Sequence, residues 1–409
     1  MGLCLSGGGF RATLFHLGAL RRLNETGMLS KMNTISSVSG GSIANGLLSK
    51  AWPSLAVDKE GVFTNFGQLV EQPLREFCSH NIRDWPILWG RLWPGNWRRL
   101  TLGGQTAANL LADMYENRLV PGLTLNHLTG IHKTEGPNFV FCATNLQTGV
   151  NFTLNAFDVG DWMIGHTPAR DLPLSKAVAA SSAFPMAFPP LILHPAAEDR
   201  FTGGKLARSP NRGELIKAIR LTDGGVYDNL GLEPVWKDHE FVFCSDGGQP
   251  FTVAPRPGKW SVSRLSRASG IVGNQALAVR KRWLISSYEK HVYGGCYWGI
   301  GTDVGDYGPH FPGYHGDVLN RLRKVRTDLN PFTEQEQLTL MNHGWALASA
   351  ALQRWCPQVP APAGATPCQT LLTDYAATMK ALKYSDSRFR VLARIWRSVF
   401  PSREYEATA

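Results

Sequence analysis

The sequence predicts an α/β protein with three layers (α/β/α), in which helices cover both faces of a mostly parallel central sheet and a helical extension follows at the C-terminus. Three observations support this prediction. Short apolar runs alternate with helix-like segments, and several of these runs end in glycine-rich turns, as strands do before a helix. The chain of 409 residues is 43% hydrophobic and 18% charged, which is enough for a large core.

The first 50 residues follow the order strand, turn, helix, strand, turn, helix. "GLCLS" predicts a buried strand, and three glycines follow it closely. The leucines of "FRATLFHLGALRRLNETG" recur every three residues, which is typical of a helix, and Gly27 supplies its end. "MNTISSV" predicts a second strand and "GGSIANGLLSK" the next helix. Strands joined through helices in this way run parallel in one sheet.

The middle of the chain continues this alternation. "NFVFCATN", "LQTG" and "VNFTLN" predict a strand, a turn and an antiparallel partner, and "LPLSKAVAASSAF" predicts a helix that Pro185 ends. "IRLTDGG" and "HEFVFCSDGG" each predict a strand followed by an Asp-Gly-Gly turn. Residues 262–290 predict one long amphipathic helix, basic at Arg280, Lys281 and Arg282.

We expect two parts in the chain. Residues 1–330 form the main α/β domain, with an aromatic and basic insertion at about 80–135. Residues 331–409 form a C-terminal helical extension packed on it, because two helix-like stretches flank the proline-rich connector "CPQVPAPAGATPC".

Charge and composition limit the partners and the location. Lysine plus arginine number 42 against 32 acidic residues, a formal net charge of +10, which favours phospholipid head groups, nucleic acids or acidic proteins. No nucleic-acid-binding module is recognisable, so we expect no nucleic acid partner. No apolar run reaches the ~18 residues of a membrane-spanning helix, and we find no signal peptide. Seven cysteines without a CxxC pair fit a reduced, cytoplasmic protein, with room for peripheral association with the inner face of the membrane.

The stretch "SSVSGGS" has the layout of a nucleophile elbow, in which a strand, a serine and a helix follow one another. Ser39 takes the serine position of the G-x-S-x-G pattern and Gly41 the second glycine, whereas Ser37 stands where the first glycine is usual. Small neighbours are needed because the turn is strained and other chain segments pass close by. The alternative is a polar turn without chemistry.

Two further glycine-rich turns strengthen this hypothesis. Consecutive glycines at Gly7, Gly8 and Gly9 let backbone N–H groups converge on a small anion, such as a tetrahedral oxyanion, and Arg11 can add charge or brace the loop. A phosphate-binding loop or a simple turn are the alternatives, although no G-x-x-x-x-G-K-[ST] pattern is present.

The second of these turns is Asp223-Gly224-Gly225, which follows a predicted strand. A carboxylate at the end of a strand can accept the serine proton if partial burial adjusts its pKa. A plain turn is the alternative, and Asp246, which also precedes two glycines, is the second candidate for the base. Five histidines follow Asp223 and would suit a triad by order alone, but none lies in a turn aimed at a site: His239, His291, His310, His315 and His343.

Five stretches occur in the order expected of patatin-like phospholipases: "LSGGGFRATLFHLGALRRL", "SSVSGGSIANG", "CATNLQTG", "AVAASSAFPMAFPP" and "LTDGGVYDNLG". They span roughly residues 2–250, and the sequence therefore resembles that family. Ser37, where patatins usually have glycine, is a departure; the sequence is similar here to the related cytosolic phospholipase branch, in which the serine also precedes small residues.

This resemblance implies a patatin-like fold, with Ser39 as nucleophile and Asp223 as base of a Ser–Asp dyad without a catalytic histidine. The amides of Gly7, Gly8 and Gly9 would form the oxyanion hole, with Gly41, Gly224, Gly225 and Arg11 in support. The implied activity is hydrolysis of fatty acyl esters in phospholipids or related lipids, as in phospholipases A and lysophospholipases, through an acyl-serine and without metal or cofactor. The alternative is a regulated effector or binding module of a signalling or defence system, inactive until a ligand binds.

The insertion contains tryptophans at a spacing of four, with arginines between them, in "DWPILWGRLWPGNWRRL". Tryptophan and arginine suit the head-group layer of a membrane, so we expect Trp85, Trp89, Trp93 and Trp97 to contact a transient anionic membrane surface. The alternative is an aromatic patch that covers the core or a partner. Prolines and glycines in the stretch argue against one continuous helix.

Overall fold

In this computed structural model the described residues are 1–90, 93–101, 104–169, 171–196, 200–258 and 260–386. Ten strands within these ranges belong to one sheet. They are β1 (Gly2–Leu5), β2 (Thr34–Val38), β3 (Asn138–Asn145), β4 (Val150–Leu154), β5 (Asp158–Asp161), β6 (Gly165–Pro168), β7 (Leu191–Leu193), β8 (Ile219–Asp223), β9 (Phe241–Asp246) and β10 (Gly294–Gly299).

Helices occupy most of the remaining described residues. The α-helices are α1 (Gly9–Glu25), α2 (Gly40–Ala51), α3 (Gln72–Cys78), α4 (Pro94–Thr101), α5 (Ala107–Arg118), α6 (Leu125–Lys133), α7 (Leu174–Ser182), α8 (Arg212–Lys217), α9 (Gly225–Asp228), α10 (Ser261–Glu289), α11 (Gly316–Lys324), α12 (Glu334–Trp355), α13 (Gln369–Thr373) and α14 (Tyr375–Ala381). Shorter 3₁₀ turns cover Leu29–Lys31, Trp52–Ser54 and Val304–Tyr307, and π-helical segments cover Gly67–Glu71 and Trp85–Trp89.

The centre of the sheet is parallel, which confirms the fold class predicted from the sequence. Strands β10, β9, β1, β2 and β3 lie side by side in that order, and each neighbouring pair is parallel. Strands β4, β5 and β6 extend the sheet beyond β3 as antiparallel neighbours. Because β1, β2 and β9 run in one direction, the turns after them lie at the same edge of the sheet.

Both faces of the sheet are covered, because alternate residues of one strand enter different clusters of buried side chains. Leu3 and Leu5 of β1 join the main core, which includes α1, α2 and α12. Cys4, between them, packs on the opposite face with Leu284 of α10 and with the segment that follows α9. The three layers predicted from the sequence are therefore present.

Strand β8 meets the sheet in an unexpected way. It pairs antiparallel with β3 and places Asp223 opposite Ala143. Strand β2 pairs parallel with the preceding part of β3 and places Val38 opposite Cys142. The carboxyl ends of β2 and β8 therefore face one another along a single strand, at adjacent register positions.

The C-terminal helices pack on the N-terminal part of the chain. Helices α1 and α12 cross so closely that a Cβ added at Gly18 would lie 1.9 Å from the Met341 carbonyl oxygen, and one added at Gly344 would lie 1.9 Å from the Phe15 carbonyl oxygen. The division at residue 330 stays a prediction. Residues 387–409 of the predicted C-terminal extension lie outside the described residues.

Candidate active site

The turn between β2 and α2 is a strained elbow centred on Ser39. Its φ and ψ are 51° and −115°, a backbone conformation that costs a non-glycine residue of order 1–3 kcal/mol. The Ser39 N–H donates to the Ser181 hydroxyl at 3.0 Å, which fixes the turn from the α7 side. A Cβ at Gly41 would lie 2.3 Å from the Leu5 carbonyl oxygen, so glycine is required there. The half-buried Ser39 side chain is thereby held at the edge of the sheet.

Asp223 lies beside Ser39 because of the head-on arrangement of β2 and β8. Its carboxylate accepts a hydrogen bond from the Gly225 N–H at 2.8 Å, and the Ser39 side chain lies beside it. Burial raises the pKa of the Asp223 carboxyl to about 6, although the Ser39 side chain and the Gly225 N–H partly oppose the shift. At neutral pH this carboxylate is therefore ionised, yet it is a much stronger base than an ordinary aspartate.

The glycine-rich loop after β1 passes directly beside the serine. A Cβ at Gly7 would lie 3.2 Å from the Ser39 Cβ, and the backbone at Gly8 and Gly9 has φ of 143° and 57°, which favour glycine. The Gly7 N–H donates to the Asn229 carbonyl oxygen at 3.0 Å and is not free to bind an oxyanion in this structure. The N–H groups of Gly8 and Gly9 donate to no described residue.

Gly40 is a third donor at this place; N–H groups at the start of the helix after Ser39 are expected to face an oxyanion, but Gly40 was not named among the predicted donors. It is the first residue of α2, and its N–H also has no hydrogen-bond partner among the described residues. A Cβ at Gly40 would lie 2.1 Å from the Gly9 carbonyl oxygen, so the N-terminus of α2 abuts the glycine-rich loop. The residue after an elbow serine commonly supplies such an amide, and that was the signal available in the sequence.

Arg11 braces the loop and does not face the dyad. Its buried guanidinium donates to the Gly247 carbonyl oxygen at 2.8 Å and to the Val325 carbonyl oxygen at 2.9 Å. Burial lowers the pKa of Arg11 to about 10, while the charge of Asp246 opposes that shift. The side chain thus remains charged and links the first helix to two distant loops.

The two glycines after Asp223 permit close packing. A Cβ at Gly224 would lie 2.3 Å from the Cys142 carbonyl oxygen, and one at Gly225 would lie 2.5 Å from the Asn229 Oδ1. Asp228 supports the turn that follows α9, because its carboxylate accepts the backbone N–H groups of Leu230 at 3.1 Å and Leu232 at 2.7 Å.

Asp246, the second candidate for the base, has other partners. Its carboxylate forms an ion pair with Lys281 and accepts hydrogen bonds from the Tyr297 hydroxyl at 2.8 Å and the Gly248 N–H at 2.9 Å. Burial alone would raise the pKa of Asp246, but the Lys281 ammonium and these hydrogen bonds outweigh it and hold the pKa below its usual value. A carboxylate bound in this way is a poor proton acceptor.

No histidine of the described residues donates to or accepts from Ser39 or Asp223 through its ring. His16 lies near the loop but is buried in the core, where its Nε2–H donates to the Ser6 carbonyl oxygen at 2.9 Å and its Nδ1 accepts from Ser245 at 2.8 Å. Burial lowers its pKa to about 4, so it is neutral.

Ser181 is a supporting residue whose role was not foreseen. Besides accepting from Ser39, its hydroxyl donates to the Cys142 carbonyl oxygen at 2.6 Å and lies 2.8 Å from the Ser42 hydroxyl. It belongs to the "AVAASSAFP" stretch, which the sequence analysis recognised without assigning a task to either serine. The network joins α7, β3 and the elbow in one rigid unit.

The tryptophan segment is broken, as the prolines and glycines predicted. One part is the segment Trp85–Trp89 and the other is α4. Trp85, Trp93 and Trp97 are 39%, 59% and 65% exposed, and the rings of Trp85 and Trp93 lie 6.2 Å apart. The side chain of Trp89 lies outside what the structure describes.

Two features are absent from the part of the chain that the structure describes. No helix there combines the length and the apolar character needed to cross a bilayer. No group of three or more histidine, cysteine, aspartate and glutamate side chains is arranged there to hold a metal ion.

A serine on a strained strand-to-helix turn, beside free backbone amides, is the arrangement of α/β proteins with a nucleophile elbow. A family model described as patatin-like phospholipase matches residues 3–236, which is more than half of the chain. The chain therefore belongs to the patatin-like phospholipases.

Three solved structures that match the chain have low sequence identity to it. Human GIVD cytosolic phospholipase A2 is 14% identical with a TM-score of 0.46, over 93% of this chain and 60% of the human one. Its complex with methyl gamma-linolenyl fluorophosphonate is 15% identical with a TM-score of 0.43, over 96% of this chain and 59% of the human one. VipD from Legionella pneumophila is 14% identical with a TM-score of 0.38, over 87% of this chain and 67% of VipD. The chain spans about 60% of the human structure. No curated protein matches it.

Proposed function

We propose that this protein hydrolyses carboxylic acyl esters of phospholipids or related lipids through an acyl-serine on Ser39, with Asp223 as the base. One observation carries this proposal: β2 and β8 meet head-on along β3, which sets the Ser39 side chain beside a buried carboxylate whose pKa is raised to about 6. Such a carboxylate can take a hydroxyl proton without a histidine, because its pKa is closer to neutrality than that of a solvated aspartate.

The first half of the reaction forms the acyl-enzyme. The Ser39 oxygen attacks the acyl carbonyl carbon while its proton passes to Asp223, and the carbonyl oxygen becomes an oxyanion. The amides of Gly8, Gly9 and Gly40, which have no partner among the described residues, donate to that oxygen under this proposal. Collapse of the tetrahedral intermediate breaks the ester bond, and the departing alcohol takes the proton back from Asp223.

The second half releases the fatty acid. Water attacks the acyl-serine and gives its proton to Asp223, and the same amides bind the second oxyanion. Collapse returns the proton to the Ser39 oxygen and frees the carboxylic acid. The elbow needs no rearrangement between the two halves, because Ser181 and the loops around it hold the Ser39 backbone in both.

A positively charged surface fits a lipid substrate in an anionic membrane. The net charge of +10 and the exposed Trp93 and Trp97 support contact between the tryptophan segment and the head-group layer. Under this proposal the protein is a peripheral membrane hydrolase without a cofactor.

The decisive experiment combines Ser39→Ala with mass spectrometry of the products from mixed membrane lipids. We expect the wild-type protein to release free fatty acid and a lysolipid or alcohol, and Ser39→Ala to release neither. A fluorophosphonate probe should label the wild-type protein on Ser39 and leave the variant unlabelled, because the probe reacts with an activated serine.

Ser49→Ala is the matched control, since Ser49 lies in α2, the helix that follows Ser39, and its hydroxyl donates only to the Gly46 carbonyl oxygen. Label or turnover that persists in Ser39→Ala and disappears in the control would refute the assignment of the nucleophile.

A further inference from the structure

Helix α10 is unusual because no described side chain is buried along most of its length. From Ser261 to Trp283, none of the described side chains is buried, and a Cβ added at Gly270 or Gly273 would meet nothing within 4 Å. The C-terminal part of the helix is anchored, with Leu284 in the core and Leu277 packed against the same cluster. A long helix is rarely stable in this state unless its outer face has a partner.

The exposed face of α10 is apolar. Leu265, Val272 and Val279 are 69%, 70% and 49% exposed, and they are seven residues apart, which places them on one side of the helix. The residues that face the protein, Leu277 and Leu284, lie on the opposite side. We call Leu265, Val272 and Val279 the outer stripe. Its orientation is the reverse of that expected for a surface helix.

Positive charge borders the outer stripe. The helix carries five cationic residues, and its one acidic residue is Glu289 at the C-terminal end. Arg264 and Arg282 are exposed and lie eighteen residues apart, about five turns, so both border the same side of the outer stripe.

The remaining three cations already have partners inside the protein. Arg280 and Lys281 are paired with Asp228 and Asp246, and Arg267 lies over the Phe251 ring.

Helix α10 also runs alongside the candidate active site. The Ser266 hydroxyl lies 4.0 Å from the Met186 sulfur, in the loop that follows α7. The Arg280 guanidinium lies 5.2 Å from the Tyr227 ring, in the short helix that follows Asp223. Exposed apolar side chains occur in both of these loops: Phe184, Met186 and Val226.

We propose that the outer stripe, with Arg264 and Arg282, is a docking surface for an anionic lipid bilayer, which it holds beside the Ser39 site. Apolar side chains that enter the acyl boundary and arginines that meet the head groups are the composition of a helix lying in a membrane interface. The proposal rests on the proposed function insofar as the substrate is a membrane lipid.

Charge decides against the other occupants. A second copy of the chain would bring the same arginines against themselves, which is unfavourable across an interface. Residues 388–400 of the same chain contain four arginines and no acidic residue, so they too would be repelled. An anionic bilayer is attracted to the same groups, with each arginine near the surface strengthening binding about fivefold.

The test is flotation with vesicles in the Ser39→Ala background, which removes turnover. We expect the protein to bind vesicles that contain phosphatidylglycerol and to bind pure phosphatidylcholine vesicles much more weakly. The double variant Val272→Asp, Val279→Asp should lose at least tenfold in vesicle affinity. Val57→Asp, at a valine 57% exposed elsewhere on the surface, should bind as the parent does.

A second variant leaves the stripe and the helix intact. The double variant Arg264→Gln, Arg282→Gln should weaken binding to the anionic vesicles by about 25-fold, at about fivefold per arginine. Its binding to the neutral vesicles should be unchanged. Parent-like binding by both double variants would overturn the proposal. The proposal would also be overturned, in favour of a second copy as the occupant, by a dimer in sedimentation experiments that only the valine variant dissociates, with vesicle binding unchanged.

Hydrolysis of a water-soluble short-chain ester, measured with Ser39 intact, separates this proposal from the proposed function. We expect the valine and arginine variants to hydrolyse that ester at the wild-type rate. If the wild-type protein fails on the soluble ester yet binds vesicles through the outer stripe, the proposed function fails and the docking surface stands.

Discussion

Two turns of this protein have the same three residues and opposite chemistry. Asp223-Gly224-Gly225 follows β8 and Asp246-Gly247-Gly248 follows β9. Both aspartates are almost fully buried, at 4% and 2% exposed, and each accepts the N–H of the second residue after it, at 2.8 and 2.9 Å. Their local conformations are therefore similar.

The difference lies in what distant segments bring to the remaining carboxylate oxygen. Asp223 meets a neutral hydroxyl from Ser39, and burial dominates, so its pKa rises to about 6. Asp246 is buried as well, but it also contacts the Lys281 ammonium and the Tyr297 hydroxyl. These contacts outweigh burial and hold its pKa below the usual value. One motif thus yields a candidate base and a structural anion, and tertiary contacts decide which.

The largest effect should separate the two aspartates by activity. Asp223→Asn should lower kcat on a soluble ester about thousandfold, because it removes the proton acceptor and keeps the shape. Asp246→Asn should remain within about fivefold of wild type well below its unfolding temperature. The comparison would break if both variants lost activity equally, or if Asp246→Asn alone were inactive.

A smaller effect should separate them by stability. Lys281→Met leaves the buried Asp246 carboxylate without its cation, and we expect the free energy of unfolding in urea to fall by about 3 kcal/mol, near the low end for such pairs because Lys281 is 30% exposed. Lys237→Met is the control, since its ion pair with Glu233 is at the surface and should contribute less than about 1 kcal/mol. Equal losses in the two variants would show that Asp246 does not depend on Lys281.

The third effect concerns pH. Protonated Asp223 cannot accept the serine proton, so kcat/KM on a soluble ester should fall about tenfold for each pH unit below about 6. Asp246 stays ionised over this range because its pKa is lowered, so the circular dichroism of the folded protein should not change between pH 7 and 5. A rate that is constant down to pH 5 would exclude Asp223 as the group that sets the profile.

The sequence was sufficient for the fold class because strand and helix periodicities are local properties, and the order of β1, α1, β2 and α2 could be predicted from them. The pairing of Ser39 with Asp223 was proposed from family resemblance. The direction of β8 could not be predicted from the sequence. Its antiparallel pairing with the second half of β3 depends on a register that local sequence patterns do not specify.

Other features were missed for a related reason. The commitment of the Gly7 N–H to Asn229, the task of Ser181 and the free amide of Gly40 all depend on contacts between segments far apart in sequence. The helix over 262–290 was predicted as amphipathic, but which of its faces looks outward was settled only by the anchoring of Leu284.

Strand β3 acts as a ruler for the candidate active site. Since Val38 lies opposite Cys142 and Asp223 opposite Ala143, the separation of the two reacting side chains is measured along one backbone rather than set by loops. Inserting a single residue between Cys142 and Ala143 would lengthen that measure by about 3.3 Å and turn one of the two strands to the wrong face. Spacing within β3 should therefore tolerate no change, even though the strand itself contributes no reacting group.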